Sequence, residues 1–218
     1  MFVNSVGEPV YYDLEKDEQF LARTYVPKNA TVLELGARYG TVSCVISGVL
    51  DDPTRHVAIE PDASVIDALE KNKLANGGKF HIYNGVVSSK KYDVVFPHNK
   101  NDEFREYATY TRENSDSKIE NMSLKELQTK YNMEFDCVVA DCEGFLCDFI
   151  DENEWVLKQI QTIIYEKDGS PWHVFKPKWE KLETLLVENN FKRIFSIPHP
   201  PPYTESNPHF NNVWVRNT

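Results

Sequence analysis

The chain has 218 residues, enough for an α/β domain that buries roughly 70% of the surface its unfolded form exposes. Hydrophobic residues make up 41% and aromatic residues 12%, which excludes both a disordered chain and a mini-protein dependent on covalent staples. With 34 acidic against 24 basic side chains the formal net charge is -10, which repels phosphate backbones and anionic lipid, so nucleic acid is not an expected partner.

No apolar run is long enough to span a bilayer, and the first twenty residues lack the cationic start and apolar stretch of a signal peptide. The expectation is a cytoplasmic protein without a membrane span. Cys44, Cys137, Cys142 and Cys147 sit inside apolar stretches and show neither CxxC spacing nor a disulfide ladder, so they are read as buried structural thiols. The sequons at Asn29 and Asn121 are read as chance in such a compartment.

In chain order, a polar helical lead-in is predicted over Asp13–Tyr25, within a lead-in spanning residues 1–30. Short β-branched runs then alternate with longer helical patterns, the arrangement of βαβ units and a mostly parallel sheet. Strands are predicted at Thr31–Leu35, His56–Glu60, Phe80–Tyr83, Phe135–Ala140 and Thr162–Glu166. Covering helices are predicted at Thr41–Leu50, Asp62–Ala75, Ser123–Tyr131 and Lys178–Asn189, with Ser123 and Glu126 as a capping box. Phe191–Ile197 and Asn212–Arg216 alternate like antiparallel strands and predict a terminal hairpin. Two irregular stretches, 88–118 and 198–210, read as substrate-side excursions within one domain covering 1–218.

The most informative segment is TVLELGARYG, a strand that carries Glu34 and runs into Gly36-Ala37-Arg38-Tyr39-Gly40 at the start of a helix. Glycines at such a turn let backbone pass close beneath a ligand and aim helix amides at it. The spacing is GxxxG, not the GxGxxG of a dinucleotide site, and an acidic rim at Glu34 suits the cationic amino and sulfonium groups of S-adenosylmethionine. Glu34, Gly36, Ala37, Tyr39 and Gly40 are therefore candidate cofactor contacts. The second strand ends in Glu60-Pro61, where an acid can accept both ribose hydroxyls; the alternative is a helix-start acid with Asp62 as the cap. The third closes with Asn84-Gly85, an amide placed to read adenine, or an ordinary turn.

The fourth strand delivers Asp141, Glu143 and Gly144 to the carboxyl edge of the sheet, and the fifth delivers Glu166 to the same edge. Methyl transfer to an alcohol requires the nucleophile to lose a proton, so Asp141, Glu143 and Glu166 are candidate catalytic bases. They are equally oxygen ligands of the type that suits Mg2+ or Mn2+. Capping or ion pairing of these acids is the structural alternative. The six histidines show no metal spacing, and His173 is the one placed to enter the site as an acid/base or acceptor contact. Tyr107, Tyr110, Trp172 and Tyr203 are candidate sugar-stacking residues.

The order VLELGARYG, AIEPD, FDCVVADCEG and IIYEKD resembles the FkbM family of S-adenosylmethionine-dependent methyltransferases over roughly Thr31 to Arg216. The most specific elements are Glu60-Pro61 and the Asp-x-Glu-Gly turn at Asp141–Gly144. The resemblance implies a class I methyltransferase (Rossmann-like) fold with a seven-stranded sheet, cofactor contacts at Glu34, Gly36, Gly40 and Glu60, and a catalytic edge at Asp141, Glu143 and Glu166. It further implies an O-methyltransferase acting on a hydroxyl of a sugar or glycan. The excursions at Ser88–Lys118 and Pro198–Pro208 match the family poorly, so the acceptor is not inherited with the fold. Two alternatives stay open: a small-metabolite methyltransferase, and a non-catalytic S-adenosylmethionine-binding domain partnered within a larger glycan-building protein.

Overall fold

A computed structural model describes residues 1–11, 14–96, 109–167, 178–202, 204–205 and 207–217. A short hairpin, β1 (Phe2–Val3) and β2 (Pro9–Val10), precedes α1 (Lys16–Tyr25). The chain then runs β3 (Val32–Leu35), α2 (Thr41–Val49), β4 (His56–Glu60), α3 (Ile66–Ala75) and β5 (His81–Asn84). Two small pairs follow: β6 (Val86–Val87) pairs parallel with β9 (Asn121–Met122), and β7 (Tyr92–Val95) antiparallel with β8 (Tyr110–Glu113). The second half comprises α4 (Leu124–Tyr131), β10 (Cys137–Ala140), α5 (Phe145–Glu152), a 3-10 turn at Glu154–Lys158, β11 (Thr162–Glu166), α6 (Trp179–Glu188), β12 (Phe191–Ile197) and β13 (Asn211–Arg216).

Seven strands form one sheet in the order β12-β13-β11-β10-β3-β4-β5. β13 is antiparallel to both β11 and β12, while β11, β10, β3, β4 and β5 pair parallel. The expected parallel sheet with a terminal hairpin is present. Alternation within the central strands explains helices on both faces. Val32, Cys137, Val139 and Ile164 pack with Leu21 of α1 and Ile46 of α2 on one side. Leu33, Val138 and Ile163 pack with Leu127 of α4, Phe149 of α5 and Leu186 of α6 on the other. Each such fully buried side chain contributes about 1.5–3 kcal/mol of transfer free energy, which makes the strand register costly to shift.

The structure revises several predicted boundaries. α3 starts at Ile66, because Asp62 accepts from the backbone and hydroxyl of Ser64 (2.9 and 2.6 Å) and holds a turn ahead of the helix. α4 starts on the predicted capping box: the Glu126 N–H donates to Ser123 Oγ, and the Ser123 N–H donates to Glu126 Oε2 at 2.8 Å. The stretch 88–118 is not wholly irregular, since it contains β7 and β8; four-residue strands present too few residues per face to establish a period. α5 has no counterpart among the predicted helices. None of the four cysteines forms a disulfide; Cys137 and Cys147 are buried, Cys44 and Cys142 half-buried. Burial pushes the thiols of Cys44 and Cys147 up to about 12, as expected of structural cysteines. No helix among the described residues is long and apolar enough to cross a membrane.

Candidate active site

Chain direction across the sheet reverses between β3 and β10, the place where open α/β sheets bind ligands at the carboxyl ends of their strands. The loop leaving β3 is held there by backbone conformations that most residues avoid: Gly36 has φ 88, Arg38 φ 42 and Gly40 φ 79. Amides of Gly36 and Ala37 donate to the Ile59 carbonyl at 3.0 and 3.1 Å, tying the loop to the end of β4. Glu60, 4% exposed, completes the tie. Its Oε2 accepts from the Arg38 amide and its Oε1 from the Asp62 amide, both at 2.8 Å. The Arg38 guanidinium in turn pairs with Asp62 at 2.8 Å.

Asn84 donates its side-chain N–H to the Glu60 carbonyl at 2.7 Å, so the ends of β3, β4 and β5 are knotted around one acid. Burial is the largest influence on the Glu60 carboxyl and pushes it up to about 7, against the two amides and Arg38 that favour its charged form. Asn84 thus has a structural role, and unlike Gly85 it is not among the residues lining either cavity described below.

Two adjoining cavities open at this edge. Gly36, Arg38, Glu60, Gly85, Asp141 and Thr111 are among the walls of the larger, which has about 80 Å³ of room for water-sized molecules. The smaller has only about 10 Å³ of such room, and its walls include Glu15, Glu18, Glu34, Asp141, Glu166 and Asn211. Glu15, Gly36 and Asp141 belong to both walls, so the cavities meet where β3 adjoins β10.

Of the residues singled out from sequence, Gly36, Glu60, Pro61, Gly85, Asp141 and Glu143 come together around the larger cavity. Glu34 and Glu166 belong to the smaller. Glu34 is not at a rim: it is 2% exposed, and its Oε2 accepts from Ser43 Oγ at 2.6 Å and lies 2.9 Å from His56 Nε2. Ala37 packs in the core with Ala58 and Leu69, and Tyr39, 1% exposed, with Val65 and Ala68. Gly40 makes room for Leu69, whose Cδ1 would lie 2.6 Å from an added Cβ.

Asp141, Glu143 and Glu166 do not assemble as a metal-binding set. Among the described residues no group of three His, Cys, Asp or Glu is placed to hold an ion, so the expected Mg2+ or Mn2+ site has no support in the arrangement. His173, Tyr107, Trp172 and Tyr203 lie outside the described residues, and Tyr110 is buried in β8.

Sequence reasoning missed Glu15, Arg38, Thr111 and Asn211. Glu15 stands at φ 55 in the N-cap of α1 and accepts a hydrogen bond from the Thr41 hydroxyl. Left-handed backbone at a non-glycine residue costs energy and clusters at functional sites, but no composition signal announces it. Arg38 lay inside the recognised GARYG loop and could have been found there.

No family model and no curated protein sequence matches the chain. Solved structures do. A ribosomal protein L11 methylase from Lactobacillus delbrueckii subsp. bulgaricus is 15% identical with a TM-score of 0.54, covering 93% of this chain and 78% of that one. The O-methyltransferase TomG of tomaymycin synthesis from Streptomyces achromogenes, solved with S-adenosylmethionine, is 14% identical at TM-score 0.53, covering 96% and 82%. A Streptococcus pneumoniae protein described as a tRNA (m1A22) methyltransferase, also solved with S-adenosylmethionine, is 11% identical at TM-score 0.52, covering 93% and 73%. Likeness at such identities speaks to architecture alone, and that architecture is the Rossmann-like fold of class I methyltransferases.

Proposed function

We propose that the chain is an S-adenosylmethionine-dependent O-methyltransferase of the FkbM type, acting on a hydroxyl of a sugar or glycan, with residues 1–218 as one methyltransferase domain. The observation that carries the reading is the cleft at the β3/β10 reversal, which brings Gly36, Glu60 and Asp141 to one wall in a methyltransferase fold. The charge of the walls suits the cofactor: among their charged side chains the carboxylates outnumber the cation Arg38, which favours the sulfonium and ammonium groups. The net charge of -10 counts against the nucleic-acid substrate named for the pneumococcal neighbour.

Bound S-adenosylmethionine supplies the electrophilic methyl group. Glu60, at the end of β4, is assigned to the ribose hydroxyls, and Pro61 with Gly85 to the faces and edge of adenine. Asp141 or Glu143, at the end of β10, would take the proton of the acceptor hydroxyl as the bound cofactor supplied its methyl group to that oxygen. Thr111, brought to the larger cavity by the β7–β8 hairpin, offers a hydroxyl to a polyol acceptor.

The test is calorimetric titration with S-adenosylmethionine and S-adenosylhomocysteine, with NAD as control, on the wild type and Glu60→Ala. A charge-assisted hydrogen bond contributes about 1.5–3 kcal/mol, so the substitution is expected to weaken both ligands roughly ten- to a hundred-fold while NAD gives no heat. Absence of binding to either methionine-derived ligand overturns the reading. Methyl transfer to a panel of sugars, compared with small phenols and amines, then tests the acceptor class.

A further inference from the structure

The amino edge of the sheet, opposite the cleft, carries a groove of its own. Thr31, Arg55, Asp136 and Gln161 stand immediately before β3, β4, β10 and β11, four strands that lie side by side. Backbone bonds continue the ladder through them: the Asp136 N–H donates to the Thr31 carbonyl at 3.0 Å, and the Gln161 N–H to the Asp136 carbonyl at 2.7 Å. With Asn132 and Glu134, from the turn between α4 and β10, they line a groove that has about 610 Å³ of room for water-sized molecules. The larger cavity at the carboxyl edge has about 80 Å³. Strands of four or five residues separate the two edges, a span of about 15 Å, so one small ligand cannot occupy both.

Several groove residues are fixed by bonds that leave other atoms unspent. Asp136 Oδ1 accepts from the Thr31 N–H at 2.7 Å. The Arg55 guanidinium donates to the Asn29 carbonyl at 2.7 Å and to the Thr31 hydroxyl at 2.6 Å. Gln161 donates from Nε2 to the Gln159 carbonyl at 3.2 Å, which identifies its Oε1 as an acceptor. Among the described residues, Asp136 Oδ2, Gln161 Oε1, the Asn132 side-chain amide and the Glu134 carboxylate have no partner, and all four residues line the groove. Groups already held in place lose little freedom when a ligand arrives.

The lining selects a ligand class. Two carboxylates against one guanidinium, itself bonded to protein oxygens, disfavour an anion. No group of three His, Cys, Asp or Glu among the described residues is placed to hold a metal ion, and only Met133 and Tyr131 bring substantial apolar surface. A neutral polyol fits what is left, since carboxylates accept from hydroxyls and amides both donate and accept. We infer that the groove is a carbohydrate-binding site for a neutral oligosaccharide, with Asp136 and Glu134 accepting from its hydroxyls and the amides of Asn132 and Gln161 fixing its orientation. Trp155 extends the same flank. It is 38% exposed in the 3-10 turn that leads to Gln159, Lys125 of α4 lies 5.6 Å from its ring centre, and Gln128 of α4 donates to Gln159 at 3.3 Å. An exposed aromatic ring beside a polar groove suits a chain of sugar units more than a single one. The inference goes beyond the methyltransferase reading and does not depend on it.

The experiment titrates the isotope-labelled full chain with cellotetraose, maltotetraose and chitotetraose, and with N-acetylated triglycine amide as a peptide probe, followed by amide NMR. Expected is a saturable shift of the Asn132 and Gln161 side-chain amides with at least one oligosaccharide, with a Kd on the order of 1 mM for a few hydrogen bonds in an open groove. Glu134→Ala and Asn132→Gly, both at exposed positions and the second suited to φ 52, are each expected to weaken that binding roughly fivefold, the worth of one hydrogen bond. Unchanged amide signals away from the groove show that the variants fold. No saturable shift with any oligosaccharide, or equal affinity in the variants, overturns the inference. Binding of the triglycine probe without any oligosaccharide makes the groove a peptide site and overturns it as well. Shifts confined to Gly36 and Gly40 place the sugar in the cleft, which overturns the groove while supporting the proposed acceptor class. Shifts at both edges support both, and a groove that binds sugar in a chain that binds no S-adenosylhomocysteine stands without the methyltransferase reading.

Discussion

A Cβ added to Gly36 would lie 1.8 Å from the carbonyl oxygen of Asp141. The first glycine of the β3 loop therefore clears the neighbouring strand end, and only through that packing shapes the cleft above it. Backbone, unlike the end of a flexible side chain, has no rotamer with which to move aside. Gly36→Ala is expected to lower stability by about 2 kcal/mol or more, since φ 88 and the contact both oppose it. Gly48 is the internal control: it lies in the exposed face of α2 with open space around it, and Gly48→Ala should stabilise by about 0.5–1 kcal/mol. Urea midpoints of the two variants moving in opposite directions would bear this out; a neutral Gly36→Ala would refute the packing argument.

Glu15 makes the ligand-free protein sensitive to pH. Its folded-state pKa is raised from 4.5 to about 7, so between those values the folded chain holds a proton that the unfolded chain releases. Its contribution is complete below about pH 4.5 and is lost as pH rises through about 7. Thermal midpoints should accordingly fall from about pH 5 to about pH 8, and Glu15→Gln should flatten that fall. An unchanged slope in the variant would remove Glu15 as its source.

Asp141→Asn keeps the backbone carbonyl that Gly36 packs against and removes only the basic oxygen. The expected result is a loss of roughly 10²–10⁴-fold in kcat with S-adenosylmethionine affinity retained within about threefold. Full turnover in the variant would transfer the role of base to Glu143, whose own amide variant is the companion measurement.

The capping box at the start of α4 gives a stability test far from the cleft. Ser123→Ala removes both the acceptor for the Glu126 amide and the reciprocal geometry, and should cost about 1 kcal/mol. Chemical denaturation reads this directly, with cofactor affinity expected to stay at the wild-type value.

Much of this protein is legible in one dimension. The near-continuous apolar runs VLEL, HVAIE, CVVA and TIIYE mark strands buried on both faces, and the glycine loop and Glu60 mark a candidate ligand edge, because these signals are local. Ser123 with Glu126 likewise needs only its own four residues to specify a helix start. The identities of strands that sit side by side are not local. Only tertiary structure joins α1 at the beginning of the chain to β13 at its end, through Asn211 and Glu18, and sets Glu34 between them.

The same holds for Arg38, which in the sequence is one more loop cation and in the fold is paired with Asp62 across the Glu60 knot. Ala37 and Tyr39, neighbours of Arg38 in the loop, turn inward to the core for the same reason: left-handed backbone at Gly36 and Arg38 decides which side chains face the cleft. Sequence determined the parallel sheet with its terminal hairpin and the place of the glycine loop, because residue type and period carry that information. The burial of Glu34, the separation of Glu166 from Glu143 into different cavities, and the bond from Asn211 to Glu18 were decided by packing, because burial and proximity are properties of the folded whole.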